Sequence, residues 1–314
     1  MMYTIGFSKF SAACLAIFLL AGCGGGDGVV ASSGTQSGKK TAKKKTTQES
    51  QDASHIADVL EKQAKNRVDV FELLQQNQTT TVKGDLVPLT GCGESRPQLE
   101  KGQLWFYPAK QPQGIVLISH GFLLQPETAL TNVIDWAQND NFSVLLIRLT
   151  GHRQDTKVQN MDVTAWKNDE EVGLCMLHQM RQTGGYPHVS IWTHSMSAPL
   201  FKVVSHANTT LGSWNKNYAR VVHIAPAYTL FYEHIDQLAN VLNAFSPGSS
   251  LPLGHLFASD RAVRKDVPVQ WLRSVLTIQQ EAIRLFDSNE QSETPTFSMF
   301  HKDDIVIHHN KTFP

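Results

Sequence analysis

From Gly114 to Pro226 the chain alternates short apolar runs with longer amphipathic segments, and few architectures accept that order. "GIVLISHGF" (114–122) holds a continuous apolar run, the mark of a strand covered on both faces. "ETALTNVIDWAQND" follows with helical periodicity, and "FSVLLIRLTGH" (142–152) is a second buried strand. "TAWKNDEEVGLCMLHQMRQTG" (164–184) is a helix with Val172, Leu174, Cys175, Leu177 and Met180 on its apolar side. "HVSIWT" (188–193) reads as a strand, "MSAPLFKVVSHA" (196–207) as a helix and "YARVVHIAP" (218–226) as a strand. This succession predicts the α/β class, with a doubly wound, mostly parallel sheet.

The flanks are of a different character. Residues 53–78 space Ile56, Val59, Leu60, Val68, Val70, Phe71 and Leu74 at roughly helical intervals, so one or two amphipathic helices are expected there. From Thr79 to Tyr107 the texture is turn-rich, as in short antiparallel strands, with "GQLWFYPA" (102–109) the best of them. The sheet domain is taken to run over 79–314. Within it, 227–293 is too long for a connecting loop and is expected to form a helical cap over one end of the sheet. "PTFSMF" (295–300) then resumes the sheet.

The first 22 residues are read as a signal and not as fold. Lys9 precedes an apolar run from Phe10 to Ala21, the length of a secretory core and short for a bilayer span. The run ends in Leu20-Ala21-Gly22-Cys23, which resembles the lipobox of bacterial lipoproteins, so Cys23 is expected to carry lipid. An ordinary signal peptide with a chance cysteine is the alternative. Residues 23–52 form the lipidated cysteine and a Gly-, Ser- and Lys-rich tether that lacks the apolar surface to fold. Its lysines serve either as a solvated spacer or in attraction to anionic headgroups. The expected location is a bacterial membrane surface, facing the periplasm in a Gram-negative cell. Export leaves Cys92 and Cys175, which either bridge or remain two buried thiols.

Lys plus Arg equals Asp plus Glu at 28 each, so no nucleic-acid partner is expected. The 13 histidines are scattered without zinc-site spacing, and neither a metal nor another cofactor is expected.

In an open parallel sheet, ligands bind at the carboxyl ends of the strands. Three features fall there. Ser195, in "THSMS", sits between a strand and a helix, where it is either a helix-capping serine or a nucleophile on a tight turn. Thr193 and Ser197 stand where that turn ordinarily has glycines. "SHGF" (119–122) ends the first long strand, so the N–H groups of Phe122 and Met196 are the candidate oxyanion donors. "FHKDDIV" (300–306) follows the last strand and offers Asp304 as a triad acid, with Asp303 a solvated turn residue.

Taken together, "HGF", "RLTGH", "THSMS" and "HKDDIV", each after a strand, resemble the α/β-hydrolase fold and, within it, the monoacylglycerol lipase and serine aminopeptidase group. The resemblance covers roughly residues 100–306. It implies a serine hydrolase with Ser195 as nucleophile, Asp304 as acid and Phe122 and Met196 as oxyanion donors, acting on a small acyl ester or lipid-like substrate. It leaves a peptide substrate open. His152 is read as structural.

The family order is Ser, Asp, His, with the histidine one helix and one strand beyond the acid. A helix, a strand and two loops need roughly 25 residues, and ten follow Asp304. His308 and His309 lie only four and five residues past it. Three explanations stand: the sequence is a piece of a longer chain, the C-terminal helix and strand are missing and the protein lacks its base, or His308 or His309 substitutes. A non-catalytic lipoprotein that uses the fold to bind a ligand is therefore the rival expectation.

Overall fold

The computed structural model describes residues 61–77, 86–93, 95, 97–122, 124–152, 163–228, 250–251, 267–287 and 296–299. Among these residues seven strands form one sheet in the order β1-β4-β6-β5-β7-β8-β11. They are β1 (Val68–Asp69), β4 (Leu104–Tyr107), β5 (Gly114–Ser119), β6 (Phe142–Ile147), β7 (His188–His194), β8 (Ala219–Ile224) and β11 (Thr296–Met299). From β6 to β11 all neighbours run parallel, while β4 and β1 add an antiparallel edge. The mostly parallel sheet expected from the sequence is present. Short β2 (Leu86–Pro88) and β3 (Gln98–Glu100) pair separately.

The two-residue period of β5 divides the core. Ile115 and Leu117 face one layer, with Val172, Leu174, Leu177, Leu200, Val204, Val275 and Ile278. Val116 and Ile118 face the other, with Ile134, Ala137, Val144 and Leu146. All six residues of β5 are buried, which is why its sequence shows no polar alternation. The first layer carries α4 (Val163–Gly184), α5 (Ser197–Ala207) and α7 (Val269–Asp287); the second carries α3 (Thr131–Asn139). The short α2 (Pro126–Ala129) leads into α3, and α6 (Thr209–Tyr218) connects α5 to β8.

Two segments differ in detail from the expectation. The N-terminal stretch is helical at 61–66, but Val68 and Asp69 then pair with Phe106 and Trp105 before α1 (Val70–Asn77) begins. Asp69 causes the break. Its carboxylate accepts from the Phe71 N–H at 3.0 Å, as a helix cap does, and from the Gly102 N–H at 2.8 Å. Second, the described parts of 227–293 comprise the pair β9 (Ser250–Leu251) and β10 (Val267–Pro268), and α7. Helix α7 buries Trp271, Leu272, Val275, Ile278 and Ala282, all on one helical face. It packs on α4 and α5, and Lys167 on α4 pairs with Glu281 at 2.7 Å.

Cys92 and Cys175 form a disulfide with their Cα atoms 5.6 Å apart, joining the segment after β2 to α4. Beside it, Asn208 donates to the Cys92 carbonyl at 2.9 Å and to Glu171 at 2.6 Å. The crosslink spans 83 residues, so it removes many unfolded conformations. Replacing both cysteines by alanine is expected to lower stability by about 2–4 kcal/mol, read from urea unfolding of the isolated protein. Equal midpoints for variant and wild type would mean that the bridge does not form.

Candidate active site

Strand β7 ends at His194 and α5 starts at Ser197, which leaves two residues for the reversal. Ser195 takes it in the left-handed region, at φ 55°. For a side chain with a Cβ this costs on the order of 1–3 kcal/mol and persists only where the surroundings enforce it. Here three backbone bonds enforce it. The Ser195 N–H donates to the Ile224 carbonyl at 2.9 Å, and its carbonyl accepts from Ala198 at 3.2 Å and from Ala227 at 3.0 Å. A serine that merely caps a helix has an ordinary extended conformation. The strained one belongs to a sharp strand-to-helix turn that pushes a side chain outward.

The residues two before and two after Ser195 are both fully buried. The Thr193 hydroxyl lies 2.6 Å from Nδ1 of His223 on β8. The Ser197 hydroxyl accepts from the His194 N–H at 2.8 Å and lies 2.9 Å from the carbonyls of Ser119 and His194, which share its one proton. Glycine in these places would leave room; here hydroxyls fill the room and bolt the turn to β5 and β8.

The second component approaches from β5. A Cβ on Gly121 would lie 2.7 Å from His194 Nδ1 and 2.8 Å from Ser195 Cβ, so only glycine lets the two turns meet. Phe122 follows, its ring edge-on to Trp166 and Trp271 with centroids 6.2 and 6.3 Å away. Met196 is buried at the start of α5, in right-handed helical geometry. Thus Ser195, Met196 and the 120–122 turn share one end of the sheet. The N-terminal end of α5 directs its positive dipole end there.

Two histidines beside this turn are occupied. His120 Nε2 accepts from the Leu149 N–H at 3.1 Å, which puts its proton on Nδ1, and Nδ1 donates to the Gly121 carbonyl at 2.8 Å. Burial holds its pKa well below the usual range. His152 packs edge-on against His120 at 4.7 Å and lies tilted against Trp271 at 5.7 Å, and burial lowers its pKa to about 4. Both are neutral and tie the 120–122 turn to the end of β6.

One acid was not anticipated. Glu170 on α4 is completely buried, and its Oε2 accepts from the Ser119 hydroxyl at 2.6 Å. Burial raises its pKa from 4.5 to about 8. The signal was present in the helix pattern: Glu170 shares a face with Trp166, Gly173, Leu174 and Leu177, an acid within an apolar stripe. Asp304, His308, His309 and Cys23 lie outside the described residues, as do 229–249, 252–266 and 288–293 of the stretch expected to form a cap. Among the described residues no group of His, Cys, Asp and Glu could hold a metal ion.

No family model and no curated protein matches the chain. Solved structures do. A soluble variant of monoglyceride lipase from Saccharomyces cerevisiae, in complex with a substrate analogue, is 15% identical, with 73% of this chain and 82% of that chain covered at a TM-score of 0.51. The chain has the α/β-hydrolase fold. The metagenome-derived lipolytic enzymes LipS and LipT supply a match of 20% identity, covering 66% of this chain and 79% of the other at 0.50. DcsB, in complex with its substrate analogue, is 11% identical over 71% and 82%, also at 0.50. At these identities the likeness is one of fold.

The buried groups set the pH dependence of stability. The raised pKa of Glu170 makes its contribution fullest below about 4.5 and lost as pH rises toward 8. The depressed His152 and His223, each at about 4, contribute above 6.5 and lose that contribution as pH falls toward 4. The melting temperature of the wild type should therefore fall between pH 6.5 and 8.5. Glu170→Gln, which cannot ionise, should flatten that limb and leave the slope below about pH 4.5 unchanged. Parallel alkaline limbs in the two proteins would contradict this assignment.

Proposed function

We propose that the protein is an exported, lipid-anchored serine hydrolase that cleaves an acyl ester. The observation that carries the proposal is Ser195 at φ 55°, held on a strand-to-helix turn with Gly121 against it. Ser195 Oγ attacks the acyl carbonyl and its proton passes to a general base. The N–H groups of Phe122 and Met196 receive the oxyanion of the tetrahedral intermediate. The leaving alkoxide takes the proton from the base and departs as the alcohol. Water then repeats the sequence on the acyl-enzyme and frees the acid.

His120 and His152 are committed to other bonds and contacts, so neither serves as the base. Asp304 is assigned as the acid that orients the base. In the printed sequence His308 and His309 are the histidines that follow it. The apolar residues of the cap, among them Leu230, Phe231, Leu238, Val241 and Phe245, suit a short acyl or lipid-like chain. The fold similarity to a monoglyceride lipase and to lipolytic enzymes is in keeping with this substrate class. An anchor at Cys23 would keep the enzyme at a membrane surface. A non-catalytic binding protein is the rival reading, and the same experiment separates the two.

A fluorophosphonate probe should label the wild type and leave Ser195→Ala unlabelled. Folded wild type that resists the probe would remove the hydrolase reading. Asp304→Asn should retain the fold and lower turnover of p-nitrophenyl butyrate by up to about 10⁴-fold. Unchanged turnover would take Asp304 out of the mechanism. For the anchor, metabolic labelling with an alkynyl palmitate in a bacterial host should mark the wild type and be lost in Cys23→Ala. Label on both proteins, or on neither, would contradict lipidation at Cys23.

A further inference from the structure

We propose that Glu170 is a positioning residue for the oxyanion hole: through Ser119, its carboxyl fixes the turn that presents the Phe122 N–H to Ser195. The proposal rests on the hydrolase reading above for its catalytic meaning, and on geometry alone for the hold itself.

The geometry is a short relay across three elements. Ser119 is the last residue of β5 and directly precedes His120, Gly121 and Phe122. Its hydroxyl donates to Glu170 Oε2 at 2.6 Å, and its carbonyl lies 2.9 Å from the Ser197 hydroxyl. That hydroxyl also accepts from the His194 N–H at 2.8 Å, one residue before Ser195. Ser119 is therefore gripped by α4 through its side chain and by the Ser195 turn through its backbone. Both grips act at the root of the 120–122 turn. His120 holds the other side of the turn through Leu149.

The cost of this arrangement argues that it does more than fill space. A buried acid loses its hydration and recovers one hydrogen bond from Ser119, while Oε1 has no partner among the described residues. An apolar side chain on this face of α4, with alanine at position 119, would be the cheaper core. Polar groups that break the local pattern at a cost are expected beside functional geometry. Oxyanion donors have to lie about 2.7–3.1 Å from the developing charge, and a shift of roughly 1 Å loses on the order of a hundredfold in rate. A second grip on the turn serves that tolerance.

At about pH 6.5, well below its raised pKa of about 8, the carboxyl is protonated, so glutamine is its neutral isostere there and keeps an acceptor for Ser119. Leucine removes the acceptor, and Ser119→Ala removes the donor with a smaller change in volume. Two readouts are compared on wild type, Glu170→Gln, Glu170→Leu and Ser119→Ala. One is amide hydrogen exchange of residues 119–124, which needs no substrate. The other is kcat and KM on p-nitrophenyl butyrate.

Exchange in 119–124 should rise at least about tenfold in Ser119→Ala, and in Glu170→Leu if that variant folds, with β6 and β7 unchanged. kcat should fall roughly ten- to hundredfold at constant KM, less than outright loss of a donor. Glu170→Gln should stay within about threefold of wild type in both. Exchange at wild-type levels in Ser119→Ala, or a rise spread evenly over the whole sheet, would overturn the proposal, since a purely structural bond lowers global stability without singling out the turn. Localised exchange in a protein that no fluorophosphonate labels would overturn the hydrolase reading and leave the hold of Glu170 on the turn standing.

Discussion

Everything at the carboxyl end of this sheet depends on the contact between Gly121 and the Ser195 turn. Two chain reversals, one after β5 and one after β7, are pressed together until a single Cβ would not fit between them. That closeness is what converts a parallel sheet into a site. It demands glycine at 121, a left-handed Ser195, and a set of bonds strong enough to hold a residue in a conformation it does not favour. The bonds come from neighbouring strands: the carbonyl of Ile224 on β8 and, through Ser197, the carbonyl of Ser119 on β5. The parallel register of β5, β7 and β8 lines those groups up, with Ser119 opposite Thr193 and Ile224 opposite His194.

Around this contact the protein buries a set of polar groups. Ser119, His120, His152, Glu170, Thr193, Ser197 and His223 are all buried, and they lie along the strand ends and the helices that carry the turns. Their hydrogen bonds are short and mostly join segments far apart in sequence. Such a network contributes little net stability compared with an apolar core, but it fixes geometry that packing alone leaves loose. The ring stack of Phe122, Trp166, His152 and Trp271 closes the apolar side of the same region.

The sheet was legible in the sequence because its central strands are covered on both sides. Burial of all of β5 and nearly all of β6 wrote continuous apolar runs, and amphipathic segments had to separate them. Strand β1 was not legible: two residues, Val68 and Asp69, carry no alternation and sit inside a stretch with helical spacing. Helix α6 was missed because it buries little beyond Leu211 and Asn215; its cap, Asn208, was the available signal. At the site, the position of Ser195 could be read from strand, turn and helix in succession. The roles of Thr193 and Ser197 could not, since their partners His223 and Ser119 are 30 and 78 residues away. Glu170 was visible as an acid on an apolar face, but only the fold shows that it meets Ser119.

The central claim is that the 120–122 turn and the Ser195 turn together form a site that stabilises an oxyanion at an activated serine. A crystal structure of the protein after reaction with a phosphonate ester tests it most directly. The account predicts phosphorus bonded to Ser195 Oγ and a phosphonyl oxygen about 2.7–3.1 Å from both the Phe122 and Met196 nitrogens. An adduct whose oxygen points away from those two N–H groups, or a serine left unmodified in an intact fold, would contradict it.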